Sequence, residues 1–398
     1  MTHTPRQTVV SIIFGNELFG KERGTLEALK ALKSSGIEVV VCVNGIEPEG
    51  GSVGDKARAI GFTTVVFPGG TQFHLPWFYR NPRFFFRQVG RLFTNSLALL
   101  RVQAKFKPNA ILLNSTGPFL FCRLALGILR TPVIYRIGDA PPTDSKFQMM
   151  LWRQLIKRSS RIACVSHFIA KQVKAYVEPR DYQQISVIWN RVVSRTPLST
   201  KKQVVLNESD KPELTLAYVG QMDKIKGVDV LIQAAVNLDN PALCLQLVGG
   251  SPHTDTFETE LQHHVQKSKS RTRVHFQGYV DNPSILLSTA DWHIAPSVCE
   301  EAFGNVVLEA KQLGIPSVIS QNGGLPELVE DGVDGFVLDE VSSQSIENQI
   351  KSLLECRADW KKMGGAAKKS LQEKFSDKSF EFAWKALWSE ILGESHRI

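Results

Sequence analysis

The chain has 398 residues, 43% of them hydrophobic and 22% charged, which is enough apolar material for two cores and too much for one ordinary domain. That composition excludes a disordered chain, and without any fixed-period repeat a solenoid is excluded too. The net charge of +8 hides an asymmetry, because residues 1–195 carry 27 Lys and Arg against 11 Asp and Glu while the remainder is acidic.

Taken in order, apolar runs rich in β-branched residues recur at 9–14, 37–43, 64–67, 110–114, 132–136, 162–165 and 185–189. The first is too short for a signal peptide and reads as a buried strand. Stretches with helical periodicity separate most of these runs, and strand alternating with helix implies a parallel, doubly wound sheet over residues 1–195. Residues 196–212 lose the rhythm and read as a linker. The alternation restarts at 214–219, 243–248, 274–276, 292–295, 317–320 and 336–338, so 213–375 is expected to form a second α/β domain. In the last segment, 376–398, Phe380, Trp384, Leu387, Trp388 and Ile391 fall at helical spacing and form a packing face. Six scattered cysteines with no Cys-x-x-Cys spacing suit a reducing cytoplasm. No apolar run reaches the length of a membrane span; Arg123 and Arg130 interrupt the nearest candidate.

Chemistry concentrates after the short apolar run that ends at Pro296 and Ser297. From Asn305 the positions Val306, Val307, Ala310 and Leu313 follow helical spacing, and Gly314 and Pro316 end the helix. Gly304 then lies at a helix N-terminus, where free N–H groups favour an anion such as a diphosphate. Glu309 shares a face with Asn305 and leans toward that end, within reach of a ribose, and Glu301 precedes the helix on the other side of the anion. Taken alone, these residues leave another reading open, in which Glu300 and Glu301 complement the helix dipole and Glu309 is solvated.

Glu301-Ala-Phe303-Gly304 followed by Glu309 resembles the Glu-x7-Glu signature of retaining glycosyltransferases of family 4. Pro296-Ser297 precedes it in the expected order, and Gly314-Ile-Pro316 and Gly323-Gly324-Leu-Pro326-Glu327 follow. The resemblance implies the GT-B fold, two Rossmann-like doubly wound domains facing a central cleft, with the final helix crossing back to the first domain. It places Glu301 on the donor sugar, Glu309 on the ribose, and Phe303, Gly304 and Asn305 beside the diphosphate. Lys226 takes the place of the family's phosphate-binding lysine, while Gln221 stands where the family has an arginine. Gly250, Tyr279 and Val280 fall in the loops that line the nucleotide. In the first domain Gly15 and Gly20 occupy the place of the glycine-rich loop that meets the donor. Gly138 and Asp139 stand where many relatives carry a sugar-contacting histidine, so Asp139 becomes a second catalytic candidate, a loop cap being the other reading.

The expected activity is metal-independent, retaining transfer of a sugar from a nucleotide-sugar to a glycan or lipid-linked acceptor, in bacterial cell-surface polysaccharide or glycolipid synthesis. No cofactor is expected, and no Asp-x-Asp motif or histidine cluster suggests a metal. A catalytically silent protein of the same fold that binds nucleotide or glycan is the alternative, motivated by Gln221 and Gly138. Residues 77–93 mix aromatic and Arg residues without an acid, which suits peripheral contact with an anionic membrane at the inner face of the plasma membrane. Base stacking and a partly buried helix compete for the same segment; nucleic acid is not expected as a partner.

Overall fold

The computed structural model describes residues 7–46, 51–70, 82–143, 145–192, 213–250, 256–280 and 282–395. The expected linker 196–212 and residues 77–81 lie outside them. Two compact units are present, one made of Met1–Asn190 with Asp377–Ile398 and the other of Arg191–Ser376.

In chain order the first unit runs β1 (Thr8–Ile13), α1 (Gly20–Ser34), β2 (Glu38–Asn44), α2 (Gly51–Ala59), β3 (Thr63–Phe67), α3 (Pro82–Phe106), β4 (Ala110–Leu113), α4 (Thr116–Phe121) and α5 (Arg123–Ile128). It continues with β5 (Val133–Ile137), α6 (Lys146–Arg158), β6 (Arg161–Cys164), α7 (His167–Lys174) and β7 (Ile185–Val187). The seven strands form one sheet in the order β3-β2-β1-β4-β5-β6-β7, and every pairing is parallel. All six residues of β1 are buried. Helices cover both faces of such a sheet, which is why its inner strands read as unbroken apolar runs and not as alternation.

The second unit runs β8 (Leu214–Val219), α8 (Val228–Leu238), β9 (Leu243–Val248), α9 (Thr256–Ser268), β10 (Arg273–Gly278), α10 (Ser284–Leu287), β11 (Trp292–Ala295) and α11 (Asn305–Leu313). After these come β12 (Ser317–Ser320), β13 (Gly335–Leu338), α12 (Ser343–Glu355) and α13 (Trp360–Lys374). Its sheet has the order β10-β9-β8-β11-β12-β13, again parallel throughout. In both sheets the strand order reverses beside the first strand, at β1/β4 and at β8/β11. Such a reversal opens a crevice at the carboxyl ends of the two strands.

The last helix, α14 (Asp377–Ser395), belongs to the first unit. Phe380, Trp384, Leu387, Trp388 and Ile391 enter the same apolar cluster as Leu26, Leu29 and Leu32 of α1. Trp388 Nε1 donates to Gln7 Oε1 at 2.9 Å, and Arg161 Nε donates to Glu390 Oε2 at 2.9 Å, so polar contacts fix the helix at two points.

Trp384 is 1% exposed and Phe382, on the same helix, is 74% exposed. Trp384→Ala is expected to lower the unfolding free energy by about 3–5 kcal/mol in urea titration. Phe382→Ala should change it by no more than about 0.5 kcal/mol in the same measurement.

Candidate active site

Because β8 and β11 are neighbours at the reversal in the second unit, the loops that leave them meet. The loop after β8 passes Gln221 and enters a short 3₁₀ turn, Lys224–Lys226, opened by Asp223 Oδ1, which accepts from Ile225 N at 3.1 Å. Lys226 therefore sits in its own turn, two residues before the first residue of α8. The loop after β11 runs back along this turn, with Val298 N and Cys299 N both donating to Ile225 O, at 2.9 and 3.0 Å. Gly227 separates turn from helix at φ 68°, and a Cβ there would collide with Pro296 O, so only glycine lets the loops close.

The two loops bring Lys226 Nζ to 2.5 Å from Glu301 Oε1, and the same oxygen accepts from Ser297 Oγ at 2.8 Å. Both charged side chains are about one-fifth exposed, at 21% and 22%. From the far side, Gly324 N donates to Glu301 O at 2.7 Å, and a Cβ on Gly323 would strike the Glu301 backbone. Ser320 Oγ and Asn322 Nδ2 each donate to Ser297 O at 2.8 Å. The Gly-Gly segment after β12 thus holds the backbone that presents Glu301.

Helix α11 starts just beyond, with Gly304 as its N-cap at φ 107° and Asn305 as its first residue. No side chain caps the helix at Gly304, and Val307 N donates to Gly304 O at 3.0 Å, so the positive end of the helix dipole lies just beyond Glu301. Phe303 is 3% exposed and stands edge-on to Phe375 at 6.3 Å, which makes its ring part of the core and leaves only its backbone near the helix start. Glu309 is one turn into the helix and 6% exposed. It is a buried carboxylate, and the reading that made it a solvated surface residue fails.

Other predicted positions fall around the same edge. Gly250 O accepts from Met222 N at 3.1 Å, and Gln221 O accepts from Tyr218 Oη at 2.6 Å, so these loops are joined through their backbones. Tyr279 and Val280 follow β10, and Tyr279 is 74% exposed. Burial, opposed by Lys226 and helped by Glu301, holds the Cys299 thiol above its usual range, which disfavours the thiolate form. His293 on β11 is fully buried with Nδ1 against Ser317 Oγ at 3.1 Å, and burial pushes its pKa down to about 3; it is a neutral core residue.

The remaining candidates lie in the first unit. Gly20 opens α1, Gly15 lies against the Glu22 carboxylate, and Asp139 follows β5. Lys21 Nζ pairs with Asp139 Oδ2 at 2.8 Å. Burial works against the Lys21 ammonium, but Asp139 outweighs it and raises the pKa. Behind them lies Arg136, a residue the sequence did not single out. It is 2% exposed and donates to Asn190 Oδ1 at 2.6 Å and to Lys21 O at 3.4 Å, and burial lowers its pKa to about 10. An arginine inside the otherwise apolar run of β5 was the available signal.

A second residue missed by sequence reading is Lys311, two residues past Glu309. It pairs with Asp334, both side chains being almost fully buried at 0% and 2%, and it also donates to Ser370 Oγ on α13 at 3.3 Å. Burial lowers its pKa in spite of Asp334. Asp334 also accepts from Glu330 N at 2.9 Å, so this pair ties α11 to the turn before β13. Among the described residues no group of three His, Cys, Asp or Glu could hold a metal ion.

Two family models match, Glycosyltransferase Family 4 over residues 20–193 and Glycosyl transferases group 1 over residues 200–370, which between them take in both units. The chain belongs to the group 1 glycosyltransferase family. This glycosyltransferase-family chain is 28% identical over 241 residues to N-acetyl-alpha-D-glucosaminyl L-malate synthase of Bacillus anthracis, covering 60% of this chain and 61% of that protein. It is 30% identical over 269 residues to D-inositol 3-phosphate glycosyltransferase of Corynebacterium aurimucosum, covering 64% and 60%. The matched part therefore spans about three-fifths of each relative's length. Among solved structures, Anabaena Alr3699/HepE in complex with UDP and glucose superposes with a TM-score of 0.77 at 19% identity, covering 96% of this chain and 100% of that one. The two parallel α/β units have the GT-B architecture.

Removing one partner of a buried ion pair leaves the other charge uncompensated. Lys311→Met is accordingly expected to lower the unfolding free energy by about 3–5 kcal/mol. Lys311→Met with Asp334→Leu should recover most of that loss, read by urea titration of the single and double variants.

Proposed function

We propose that this protein is a retaining glycosyltransferase that moves a sugar from a nucleotide-sugar to a glycan or lipid-linked acceptor. The observation that carries the reading is the Lys226–Glu301 pair at the β8/β11 reversal, beside the N-terminus of α11, which no side chain caps. Lys226 and the first N–H groups of that helix receive the diphosphate, and Glu309 receives the ribose hydroxyls. Glu301 holds the donor sugar. As the bond from the anomeric carbon to the diphosphate oxygen breaks, an acceptor hydroxyl forms the new bond on the same face and passes its proton to the leaving phosphate. The positive charge this needs comes from Lys226 and the helix start, without a metal. Asp139, paired with Lys21, is assigned to the acceptor side of the sugar.

The HepE complexes with UDP and with UDP-glucose make a uridine nucleotide the first donor to test. The acceptor is reached at the inner face of the plasma membrane, and the product enters cell-surface polysaccharide or glycolipid.

Purified protein is to be screened against UDP-, GDP-, ADP- and dTDP-sugars for thermal stabilisation and hydrolysis. One nucleotide class should stabilise it and be turned over. Stabilisation without turnover of any sugar would instead make the chain a silent nucleotide binder. Lys226→Ala and Glu309→Ala should weaken donor binding about tenfold or more, since each removes a charged contact. Glu301→Gln should behave differently, because it cuts turnover yet releases Lys226 from its present partner. Its affinity for the nucleoside diphosphate is expected to equal or exceed that of the parent in calorimetry.

A further inference from the structure

Helix α3 buries Leu99 and Val102 at 0% and 4% exposure, yet several of its other buried and exposed positions are reversed from the usual pattern. Its inward side carries Gln88, Asn95 and Ser96 at 3%, 0% and 4% exposure, while Phe86, Val89, Phe93 and Leu97 stand out at 71%, 37%, 59% and 48%. Two of the inward polar groups are built into the fold: Asn95 accepts from Gly69 N and donates to Gly69 O, both at 3.0 Å, and Ser96 Oγ donates to Phe121 O at 3.4 Å. The outward apolar residues recur three or four apart, which gathers them into one stripe along the helix. Arg83, Arg87 and Arg91 follow at four-residue steps on its flank. Helix α5 packs against α3 and repeats the pattern. Leu124 and Ile128, one turn apart, are 42% and 72% exposed, with exposed Arg123 and Arg130 before and after them.

A single exposed apolar side chain is ordinary, but a contiguous stripe marks a surface that is covered in use, since covering each large side chain is worth about 1.5–3 kcal/mol. The charge around them names the partner. From residue 56 to residue 138 the chain contains no Asp or Glu and 12 Lys and Arg. A single-stranded nucleic acid would need planar faces for stacking, yet Val89, Leu97, Leu124 and Ile128 are aliphatic. Aliphatic and aromatic residues on one stripe, with arginines beside them and no acid, match the boundary between lipid headgroups and acyl chains.

We propose that α3 and α5 form a docking face that seats the first unit on an anionic phospholipid surface. Phe86, Phe93, Leu97 and Ile128 enter the headgroup–acyl boundary, and Arg83 and Arg123 meet lipid phosphates. The proposal extends beyond the segment 77–93, of which residues 77–81 are outside the described structure. It stands on this face alone and holds whatever donor the second unit binds. Among the described residues no helix is long and apolar enough to cross a membrane, so contact through this face is interfacial.

Sedimentation of the full chain with vesicles of equimolar phosphatidylcholine and phosphatidylglycerol, against phosphatidylcholine alone, tests it. The chain should pellet with the anionic vesicles and be released as salt rises. Phe86→Ser with Phe93→Ser, and separately Arg83→Glu with Arg123→Glu, should each weaken binding about tenfold or more. All four side chains are exposed, so thermal unfolding of the variants should match the parent. A Phe93→Trp reporter gives an independent reading, its emission moving to the blue when anionic vesicles are added. Absence of pelleting with either vesicle, or pelleting unchanged in both double variants, overturns the proposal. So does an oligonucleotide that displaces the vesicles through the same residues, or a dimer that both double variants abolish; these assign the face to nucleic acid or to a second copy of the chain.

Discussion

An ammonium and a carboxylate, carried on loops that leave adjacent parallel strands, meet at 2.5 Å in the second unit, and its site is built outward from that contact. The pair exists because β8 and β11 lie side by side although 72 residues separate the end of one from the start of the other. Backbone bonds then lock the geometry. Ile225 O gathers the β11 loop, and the Gly323–Gly324 backbone closes on Glu301 from beyond β12. A carboxylate whose main chain is bonded to the Gly-Gly segment, on a loop tied at Val298 and Cys299 to Ile225, is pre-organised and loses little entropy when it meets a ligand.

The second unit contains another Lys–carboxylate pair, and burial separates their roles. Lys311 and Asp334 are sealed from water, so neither can exchange partners without leaving a bare charge in the core. Lys226 and Glu301 keep about one-fifth of their surfaces in water and can trade one anion for another. The charges are the same in both; solvent access makes one a strut for α11 and leaves the other, on the proposed reading, to receive the donor phosphate. In the first unit Arg136 acts as a strut too. It fixes the start of α1 to Asn190 and lies behind the more exposed Lys21–Asp139 pair.

The two units also divide the labour of charge. The acidic second unit concentrates a few cationic groups, Lys226 and a helix start, at one sheet edge. The basic first unit spreads arginines over helices whose outward faces are apolar. Helix α3 satisfies the inward Asn95 and Ser96 with backbone partners and leaves an apolar stripe facing out of the fold.

The alternation of strand and helix was legible in the residues because a parallel sheet covered on both faces demands unbroken apolar runs with amphipathic stretches between them. So were the start of α11 at Gly304 and its end at Gly314, since both positions take a left-handed backbone that glycine adopts at no cost. Lys226 and Glu301 could be named, but not their contact, which depends on which strands become neighbours. The burial of Glu309, the role of Phe303 as a core ring, and the Lys311–Asp334 and Arg136 struts were all invisible, because a lone charged residue in a sequence does not reveal whether water reaches it. Helix α3 shows the division most plainly. Its sequence alone determined a basic, aromatic amphipathic helix; only the tertiary structure decided which side faces the core, because that depends on backbone partners at Gly69 and Phe121, far along the chain.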